Sequence, residues 1–190
     1  MSKVVLIAGG SRGIGAACVE EFTRCGWTVA SVSRKRSKEL PASVHQIEAD
    51  LTIEKESSRV VTEMLARCPT IDAVVHSVGD IYDQFPIHDL PWSRWMSTLE
   101  VCLGTAVNLT RASCDHIAES HGSYVFLSSV ARIKPYPGIA DYCAAKAALN
   151  SFVRSLALEL APMGRANAIS PAVVDTGLFR KGPYSEEQAA

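Results

Sequence analysis

The sequence lacks any apolar run long enough to cross a membrane, and it has almost no net charge. No stretch reaches the roughly 18 apolar residues of a membrane-spanning helix, although 47% of the 190 residues are hydrophobic. The net charge of −1 argues against a basic protein that binds nucleic acid or a membrane surface. The N-terminus has no signal-peptide cleavage region. We therefore expect one cytoplasmic domain over residues 1–190, with no nucleic-acid or membrane partner.

The six cysteines form no CxxC pair and no cluster with histidine. Their scattered positions argue against a zinc site and a disulfide framework, and favour a reducing cytoplasm. We expect each thiol to be a small buried hydrophobic group, and we predict no metal site.

A β-branched run at Lys3–Ala8 is followed by a glycine-rich loop and an amphipathic stretch. A glycine motif is evidence for a nucleotide-binding site when it lies between a strand and a helix, as it does here. In the loop GGSRGIG, Gly9 allows a tight turn, Gly13 lets the backbone approach a pyrophosphate, and Gly15 permits close packing of helix on strand. The spacing is G-x-x-x-G-x-G rather than G-x-G-x-x-G. We interpret the loop as a nucleotide-binding site, and a plain connecting turn is the alternative.

At the end of the second predicted strand, Trp27–Ser33, basic residues replace the acidic residue that is expected there. A NAD site usually has an acidic residue there for the ribose 2′-hydroxyl. This chain continues instead with Arg34-Lys35-Arg36, and Arg12 in the glycine loop adds another cation. We therefore predict NADP(H) rather than NAD(H), with Ser33 and Arg34 among its contacts. A solvated basic loop is the alternative.

Predicted strands and helices alternate along the whole chain. The later strands are predicted at 44–49, 71–77, 123–129 and 165–170. Crossovers of this length produce a parallel sheet of six strands with helices on both faces, a Rossmann-like doubly wound α/β fold. Ligands bind at the carboxyl ends of such strands, so the glycine loop, Gly79, Ser129 and Pro171 should converge on one crevice.

Three other stretches allow more than one interpretation. Asp50 either accepts a hydrogen bond from an adenine amino group or caps the next helix, which is predicted to start near Thr52. His76 lies inside a strand pattern, and we expect a satisfied, partly buried histidine rather than an acid or base. Trp92–Ala118 is predicted to be one long helix, broken near its start and interrupted by Gly104.

Tyr142 and Lys146 are four residues apart in a predicted helix, so their side chains share one face. A cation beside a phenol favours the phenolate and lowers the phenol pKa from about 10. Tyr142 is therefore a candidate proton donor and acceptor near neutral pH. Ser129 ends the fifth predicted strand and can reach the same point from the sheet edge. On spacing alone, a coincidental pair is the alternative.

Together, these motifs resemble the short-chain dehydrogenase/reductase family, from Lys3 to about Phe179. Ser129, Tyr142 and Lys146 match the family's catalytic Ser and Tyr-x-x-x-Lys pattern. The resemblance implies a small-molecule carbonyl or secondary alcohol as substrate. The cofactor-binding residues that it implies, together with those inferred above, are Gly9, Ser11, Arg12, Gly13, Ile14, Gly15, Ser33, Arg34, Asp50, Leu51, Gly79, Tyr142, Lys146, Pro171, Val174 and Thr176.

The resemblance also implies a role for each catalytic residue. Tyr142 would exchange a proton with the substrate oxygen while a hydride moves to or from nicotinamide C4. Lys146 would lower the Tyr142 pKa and bind the nicotinamide ribose. Ser129 would bind the substrate oxygen, where charge develops. A homodimer or homotetramer is expected through the helices around residues 98–118 and 142–161.

The chain departs from the family pattern in ways that favour two alternatives. Cys102 stands where the family has a catalytic Asn, and a thiol is a weak donor and acceptor. His76-Ser77-Val78-Gly79 replaces Asn-Asn-Ala-Gly, Pro171-Ala172 replaces Pro-Gly, and we expect an incomplete substrate lid after about residue 176. The alternatives are a catalytically impaired nucleotide-binding regulatory or scaffold protein, and an epimerase or dehydratase of the same fold.

Overall fold

The computed structural model of the protein describes residues 2–81 and 83–176. The predicted lid after residue 176 lies outside these ranges. The described strands are β1 (Val4–Ala8), β2 (Thr28–Ser33), β3 (His45–Glu48), β4 (Ala73–His76), β5 (Ser123–Leu127) and β6 (Arg165–Ile169). The described α-helices are α1 (Gly13–Arg24), α2 (Glu54–Leu65), α3 (Trp92–Leu99), α4 (Thr105–Glu119) and α5 (Ala140–Leu160).

The six strands form one parallel sheet in the order β3-β2-β1-β4-β5-β6. The chain moves outward from β1 to β3 and then returns to place β4 on the other side of β1. The connections that follow β1 and β4 therefore leave in opposite directions, and a crevice opens between the carboxyl ends of these two strands. The predicted parallel α/β sheet is confirmed, and this topology fixes where the site lies.

Alternate residues of β1 enter two different cores, because successive side chains of a strand point to opposite faces. Val5 and Ile7 pack with Val19 of α1 on one face. Leu6 and Ala8 belong to a larger core on the other face, which includes side chains of α2, α4 and α5. All five residues of β1 are buried. This explains the continuous apolar run, and it confirms that helices cover both faces.

The predicted helix over Trp92–Ala118 is confirmed with its interruption at Gly104, whereas the predicted break near its start is wrong. The interruption is a π-helical segment at Glu100–Gly104, between α3 and α4. Gly104 is the last residue of this π-helical segment. The Thr105 hydroxyl donates to the Val101 carbonyl oxygen at 2.7 Å, which satisfies an acceptor inside the irregular turn.

The prediction that every cysteine is buried is wrong. All six are free thiols, but Cys25 is exposed and only Cys102 is fully buried. The other four are partly exposed because they lie on helices or at helix ends, where one side of the element faces solvent.

Within the described ranges, the structure contains no helix with the length and apolarity needed to span a membrane.

Candidate active site

A cavity of about 880 Å³ opens at the carboxyl edge of the sheet. Segments that follow all six strands contribute to its wall, so the predicted convergence on one crevice is confirmed. The predicted site residues that line the cavity are Gly9, Ser11, Arg12, Gly13, Ile14, Ser33, Arg34, Asp50, Leu51, Gly79, Ser129, Tyr142, Lys146, Pro171, Val174 and Thr176. Gly15 lies behind the wall, where a Cβ atom would overlap the carbonyl oxygen of Gly9. That contact is the close helix–strand packing predicted for Gly15.

The glycine loop forms a backbone cradle at the start of α1. Gly9 has φ +79°, and a Cβ atom there would lie 2.9 Å from the Ser77 carbonyl oxygen, so this turn requires glycine. Arg12 occupies the N-cap of α1 without a side-chain cap, and no acidic residue lies in the first turn. The first N–H groups of α1 therefore have no side-chain partner in the described residues, and they suit a phosphate group.

The segment after β6 lines the cavity and reaches the glycine loop. The Pro171 carbonyl oxygen accepts a hydrogen bond from Val130 N at 3.0 Å, which ties this segment to the end of β5. A Cβ atom on Gly13 would lie 3.4 Å from the Thr176 side chain. Pro171 and Thr176 thus lie at the cavity wall, where the resemblance implies cofactor contacts.

Tyr142 and Lys146 lie together on the buried face of α5, as their spacing predicts. The Lys146 Nζ atom is 5.6 Å from the centre of the Tyr142 ring and donates to the Leu127 carbonyl oxygen at 2.8 Å. Their exposed fractions are 7% and 3%. Burial lowers the pKa of Lys146, because a desolvated ammonium loses its hydration.

Ser129 lies just beyond the end of β5, where it caps the 3₁₀ turn Val130–Arg132. Its Oγ atom accepts a hydrogen bond from Ala131 N at 3.1 Å. This contact fixes the oxygen at the cavity wall and leaves the hydroxyl proton available for donation to a ligand.

Ser128 and Asn150 attach α5 to the end of β5, and the sequence interpretation missed both. The Asn150 amide donates to Ser128 Oγ and, at 3.1 Å, to the Lys146 carbonyl oxygen. Ser128 Oγ also donates to that carbonyl oxygen at 3.2 Å. Asn150 is four residues after Lys146, so the helical spacing that paired Tyr142 with Lys146 would also have indicated Asn150.

A buried carboxylate holds the first turn of α5 against α3. The Thr98 hydroxyl donates to Asp141 Oδ2 at 2.6 Å, and Arg94 Nε lies 3.6 Å from the same oxygen. Asp141 is 3% exposed, and a carboxylate in the first turn of a helix is stabilised by the helix dipole. Asp141 directly precedes Tyr142, so this cluster fixes the backbone on which Tyr142 is mounted.

The predicted 2′-phosphate region is exposed and held by surface contacts. Arg34 is exposed at the cavity wall, and Ser33 Oγ donates to the Lys35 carbonyl oxygen at 2.8 Å. Arg36 is 3.2 Å from Glu48 and lies outside the cavity wall. Arg36 therefore fits the alternative of a solvated basic loop, whereas Ser33 and Arg34 lie at the cavity wall.

Arg12 forms an ion pair that the sequence interpretation missed. Its Nη2 atom is 3.5 Å from Asp80 Oδ2, and both residues line the cavity. Because Asp80 lies in the segment after β4, the pair bridges the walls formed after β1 and β4.

Asp50 does not cap α2, so that alternative is wrong. Its Oδ1 atom accepts from the backbone N and the hydroxyl of Thr52, at 3.0 and 2.7 Å, and closes a local turn. The helix begins only at Glu54, after an N-cap residue without a side-chain cap. Asn108 of α4 donates to the Leu51 carbonyl oxygen at 3.0 Å, which fixes this part of the cavity wall.

Comparison with known proteins identifies the family. A family model described as short chain dehydrogenase matches residues 3–186. The chain belongs to this family. The NAD-dependent glycerol dehydrogenase of Listeria innocua is 32% identical over 187 residues, covering 94% of this chain and 73% of that protein. The serine 3-dehydrogenase of Rhizobium radiobacter is 28% identical over 195 residues, covering 98% of this chain and 78% of that protein.

Solved structures support the same assignment. The aldohexose dehydrogenase of Thermoplasma acidophilum superposes with a TM-score of 0.90 at 29% identity, over 95% of this chain and 70% of that one. As a short-chain dehydrogenase, the chain is an oxidoreductase that acts on alcohol or carbonyl groups with NAD(P).

Two buried residues beneath the cavity distinguish this short-chain dehydrogenase from the family pattern given above. Cys102 is fully buried in the π segment, with Sγ 3.8 Å from the Asp80 carbonyl oxygen. His76 is also fully buried, and its Nε2 atom is 2.9 Å from Thr105 Oγ1. Burial, with a smaller effect from the Lys146 charge, lowers the pKa of His76 to about 3, so its ring is neutral.

The prediction of a satisfied, partly buried His76 is wrong on both points. The ring is completely buried, and its Nδ1 atom has no hydrogen-bond partner among the described residues. The π segment brings Thr105 against one side of the ring, which the strand pattern of β4 does not reveal.

Proposed function

We propose that this short-chain dehydrogenase transfers hydride between NADP(H) and a small carbonyl or secondary alcohol, with Tyr142 as the acid and base. The observation that supports this proposal is the juxtaposition of Tyr142, Lys146 and Ser129 at one end of a cavity. The wall of the same cavity includes a glycine cradle at a helix N-terminus. The cradle fits a dinucleotide, because the uncapped N–H groups of α1 suit a pyrophosphate.

The bound nicotinamide would supply the hydride, and the residues of this chain would manage the proton. In the reducing direction, the Tyr142 hydroxyl gives its proton to the substrate oxygen as the carbonyl carbon gains the hydride. Ser129 donates its free hydroxyl proton to the same oxygen, where negative charge develops. The Lys146 ammonium stabilises the phenolate that remains, and solvent restores the proton to Tyr142.

The proposed preference for NADP(H) is supported by the charge at the end of β2. Arg34 is exposed at the cavity wall, and Ser33 occupies the place of the acid that binds a ribose 2′-hydroxyl. A guanidinium forms strong charge-assisted bonds with a phosphate. The name of the Listeria relative states NAD dependence, so kinetics with both cofactors must test this part of the proposal separately.

The test measures consumption of NADPH by its absorbance, with panels of ketones, aldoses and polyol-derived carbonyls. We expect turnover by the unmodified protein and a loss of about 10²–10⁴-fold in Tyr142→Phe. Tyr124→Phe is the matched control, because it removes an equally buried phenol that is bonded to Ser113, in the core rather than at the cavity. Equal turnover by unmodified protein and Tyr142→Phe on every substrate would contradict the catalytic role of Tyr142.

A second candidate function is favoured by Cys102, the buried thiol that replaces an amide beneath the site. A protein that binds NADPH but does not turn it over would serve as a nucleotide-binding regulatory or scaffold protein. Titration calorimetry separates the two functions. Binding without consumption across the substrate panels would support the regulatory protein, and consumption would exclude it.

We also propose a cytoplasmic homodimer or homotetramer that associates through α4 and α5. Free thiols at all six cysteines are compatible with a reducing compartment. Leu158, in the last turn of α5, is 82% exposed and is a candidate contact in such an assembly. Light scattering on the unmodified protein and on Leu158→Glu tests the assembly, and a monomer in both would contradict it.

A further inference from the structure

Arg12 and Asp80 form an ion pair that spans the crevice between β1 and β4. The Arg12 Nη2 atom lies 3.5 Å from Asp80 Oδ2, and both residues line the cavity. Arg12 belongs to the loop after β1, and Asp80 to the segment after β4. Ligands of an open α/β sheet bind in the crevice between two such strand ends. A dinucleotide in this cavity would therefore lie next to the pair.

The direction of the pair separates Arg12 from the cations that follow β2. In the sheet, β2 and β4 lie on opposite sides of β1. Arg34 and Lys35 line the cavity after β2, whereas Asp80 lies beyond β4. The Arg12 guanidinium is thus turned away from the side of the crevice where a 2′-phosphate is predicted. This orientation differs from the expectation that Arg12 adds to the positive charge at the end of β2.

Asp80 is suited to hold Arg12 in this direction. Its side chain is 16% exposed, and Arg12 is the only partner of its carboxylate among the described residues. A largely buried carboxylate needs such a partner, because removing a charge from water is costly. The backbone of Asp80 lies against the π segment, where Cys102 Sγ is 3.8 Å from its carbonyl oxygen. Asp80 is therefore the fixed member of the pair, and it positions the more exposed Arg12 side chain.

The backbone of Arg12 lies at the N-cap of α1, beside the N–H groups that suit a pyrophosphate. A cation is disfavoured at the N-terminus of a helix, and the Asp80 carboxylate compensates for the Arg12 charge there. A guanidinium has five N–H donors, so Arg12 can bind Asp80 and a phosphate oxygen together. The pyrophosphate is common to NADPH and NADH. A contact between Arg12 and this group would not distinguish the two cofactors.

We propose that Asp80 is a specificity-determining residue, which holds Arg12 at the pyrophosphate and leaves recognition of a 2′-phosphate to Arg34 and Lys35. This inference rests on the dinucleotide site of the proposed function, but not on turnover. With Asp80 present, Arg12 contributes equally to the affinity for both cofactors. Without the Asp80 carboxylate, Arg12 is free to turn towards the end of β2 and to bind the 2′-phosphate.

Dissociation constants for NADPH and NADH, measured by titration calorimetry on the whole protein, test this assignment in two backgrounds. With Asp80 present, Arg12→Gln should weaken both cofactors by the same factor, within about twofold. In the Asp80→Ala background, Arg12→Gln should weaken NADPH about three- to tenfold more than NADH, because the released guanidinium contacts the 2′-phosphate there. Asp80→Ala alone should shift the preference towards NADPH by a similar factor.

Glu54→Ala is the matched control. It removes one carboxylate from an ion pair with Arg111, at 2.9 Å, and both residues lie outside the cavity wall. The change in net charge equals that of Asp80→Ala, and the cofactor preference should stay unchanged. Urea unfolding checks that each variant is folded. If Arg12→Gln is unstable because Asp80 has lost its partner, the two alanine variants still test the proposal.

A selective loss of NADPH affinity in Arg12→Gln with Asp80 present would overturn the proposal, because Arg12 would then recognise the 2′-phosphate despite the ion pair. An equal effect of Arg12→Gln in both backgrounds, or an equal shift in Asp80→Ala and Glu54→Ala, would also overturn it. Failure of the unmodified protein to bind either cofactor would contradict the proposed function and this inference together. Binding without turnover would contradict only the proposed catalysis.

Discussion

Two ends of one cavity are built in opposite ways. The catalytic corner, formed by Ser129, Tyr142 and Lys146, is attached to the protein interior by buried hydrogen bonds. The basic corner, formed by Ser33 and Arg34, lies at the protein surface after β2. Its neighbour Arg36 is held by an ion pair in which the arginine side chain is 67% exposed.

The fold by itself fixes the geometry of the catalytic corner, whereas a ligand must complete the geometry of the basic corner. The geometry of the catalytic corner is fixed before any ligand binds, because a buried polar group that loses its hydrogen-bond partner costs free energy. Exposed ion pairs contribute little to stability, so the basic corner can change without loss of the fold. We infer that cofactor preference can vary within this architecture more easily than the proton-transfer geometry.

The largest expected effect comes from Lys146→Met at the catalytic corner. Turnover should fall by about 10²–10⁴-fold, because the charge that stabilises the Tyr142 phenolate is lost. The thermal unfolding midpoint should be retained or raised, since methionine fills a similar volume and removes a buried charge whose pKa burial has lowered. Steady-state kinetics and calorimetry on the same preparations measure both effects.

The matched control is Lys55→Met, which alters an exposed cation on α2 outside the cavity wall. It should leave turnover at saturating cofactor and the unfolding midpoint nearly unchanged. A Lys146→Met protein that loses stability together with activity would show that Lys146 acts mainly in packing, and the contrast between the two corners would disappear.

Acid should destabilise the protein through the buried ring beneath the catalytic corner. The pKa of His76 is about 3 in the folded protein against an ordinary value of 6.5. Above pH 6.5 the ring is neutral in both states, and below it only the unfolded chain takes up the proton. Stability should therefore fall by about 1.4 kcal/mol per pH unit as the pH drops from 6.5 towards 3.

Urea unfolding at neutral pH and at about pH 4.5 measures this loss, with His76→Leu as the variant that lacks it. The variant should show a pH dependence smaller by about 2–3 kcal/mol across that interval. His88→Gln is the control, because the His88 side chain is 75% exposed and should contribute almost nothing. Identical pH dependence in His76→Leu and unmodified protein would refute the depressed pKa.

The sequence was sufficient to predict the sheet and most residues of the cavity wall, because both depend on local patterns. Buried parallel strands produce continuous apolar runs, and each strand end carries the next residue of the cavity wall. Tyr142 and Lys146 could be paired because helical spacing is regular. Sixteen of the seventeen predicted site residues line the cavity, and Gly15 lies behind it in its predicted packing role.

The supports of the site could not be predicted, because they join residues that are distant in the sequence. Asp141 meets Thr98, 43 positions away, and Asn108 meets Leu51, 57 positions away. No local pattern indicates such contacts. The burial of His76 was underestimated for the same reason, since it depends on the π segment that places Thr105 against the ring.

Asp141→Asn should loosen the catalytic corner without removing any residue that contacts substrate or cofactor. It weakens the bond from Thr98 and removes the charge opposite Arg94, and hydrogen bonds to buried charged groups are worth about 1.5–3 kcal/mol. We expect a loss of about 2 kcal/mol in unfolding free energy and a modest fall in kcat at constant cofactor KM. Denaturant unfolding and kinetics measure the two effects.

Thr98→Val is the control that removes one hydrogen bond but leaves the charge pair. It should cost less stability than Asp141→Asn. If both variants are as stable as the unmodified protein, the cluster does not hold α5, and the catalytic corner depends on Ser128 and Asn150 instead.

The smallest expected effect belongs to the basic corner, where Arg34→Ala should leave stability unchanged and alter only the choice of cofactor. Loss of one exposed charge-assisted contact should raise the KM for NADPH by about tenfold and leave the KM for NADH unaffected. Arg36→Ala is the matched control, because Arg36 pairs with Glu48 outside the cavity wall. Equal changes for both cofactors, or equal effects of the two substitutions, would show that Arg34 contributes general positive charge and does not recognise a 2′-phosphate.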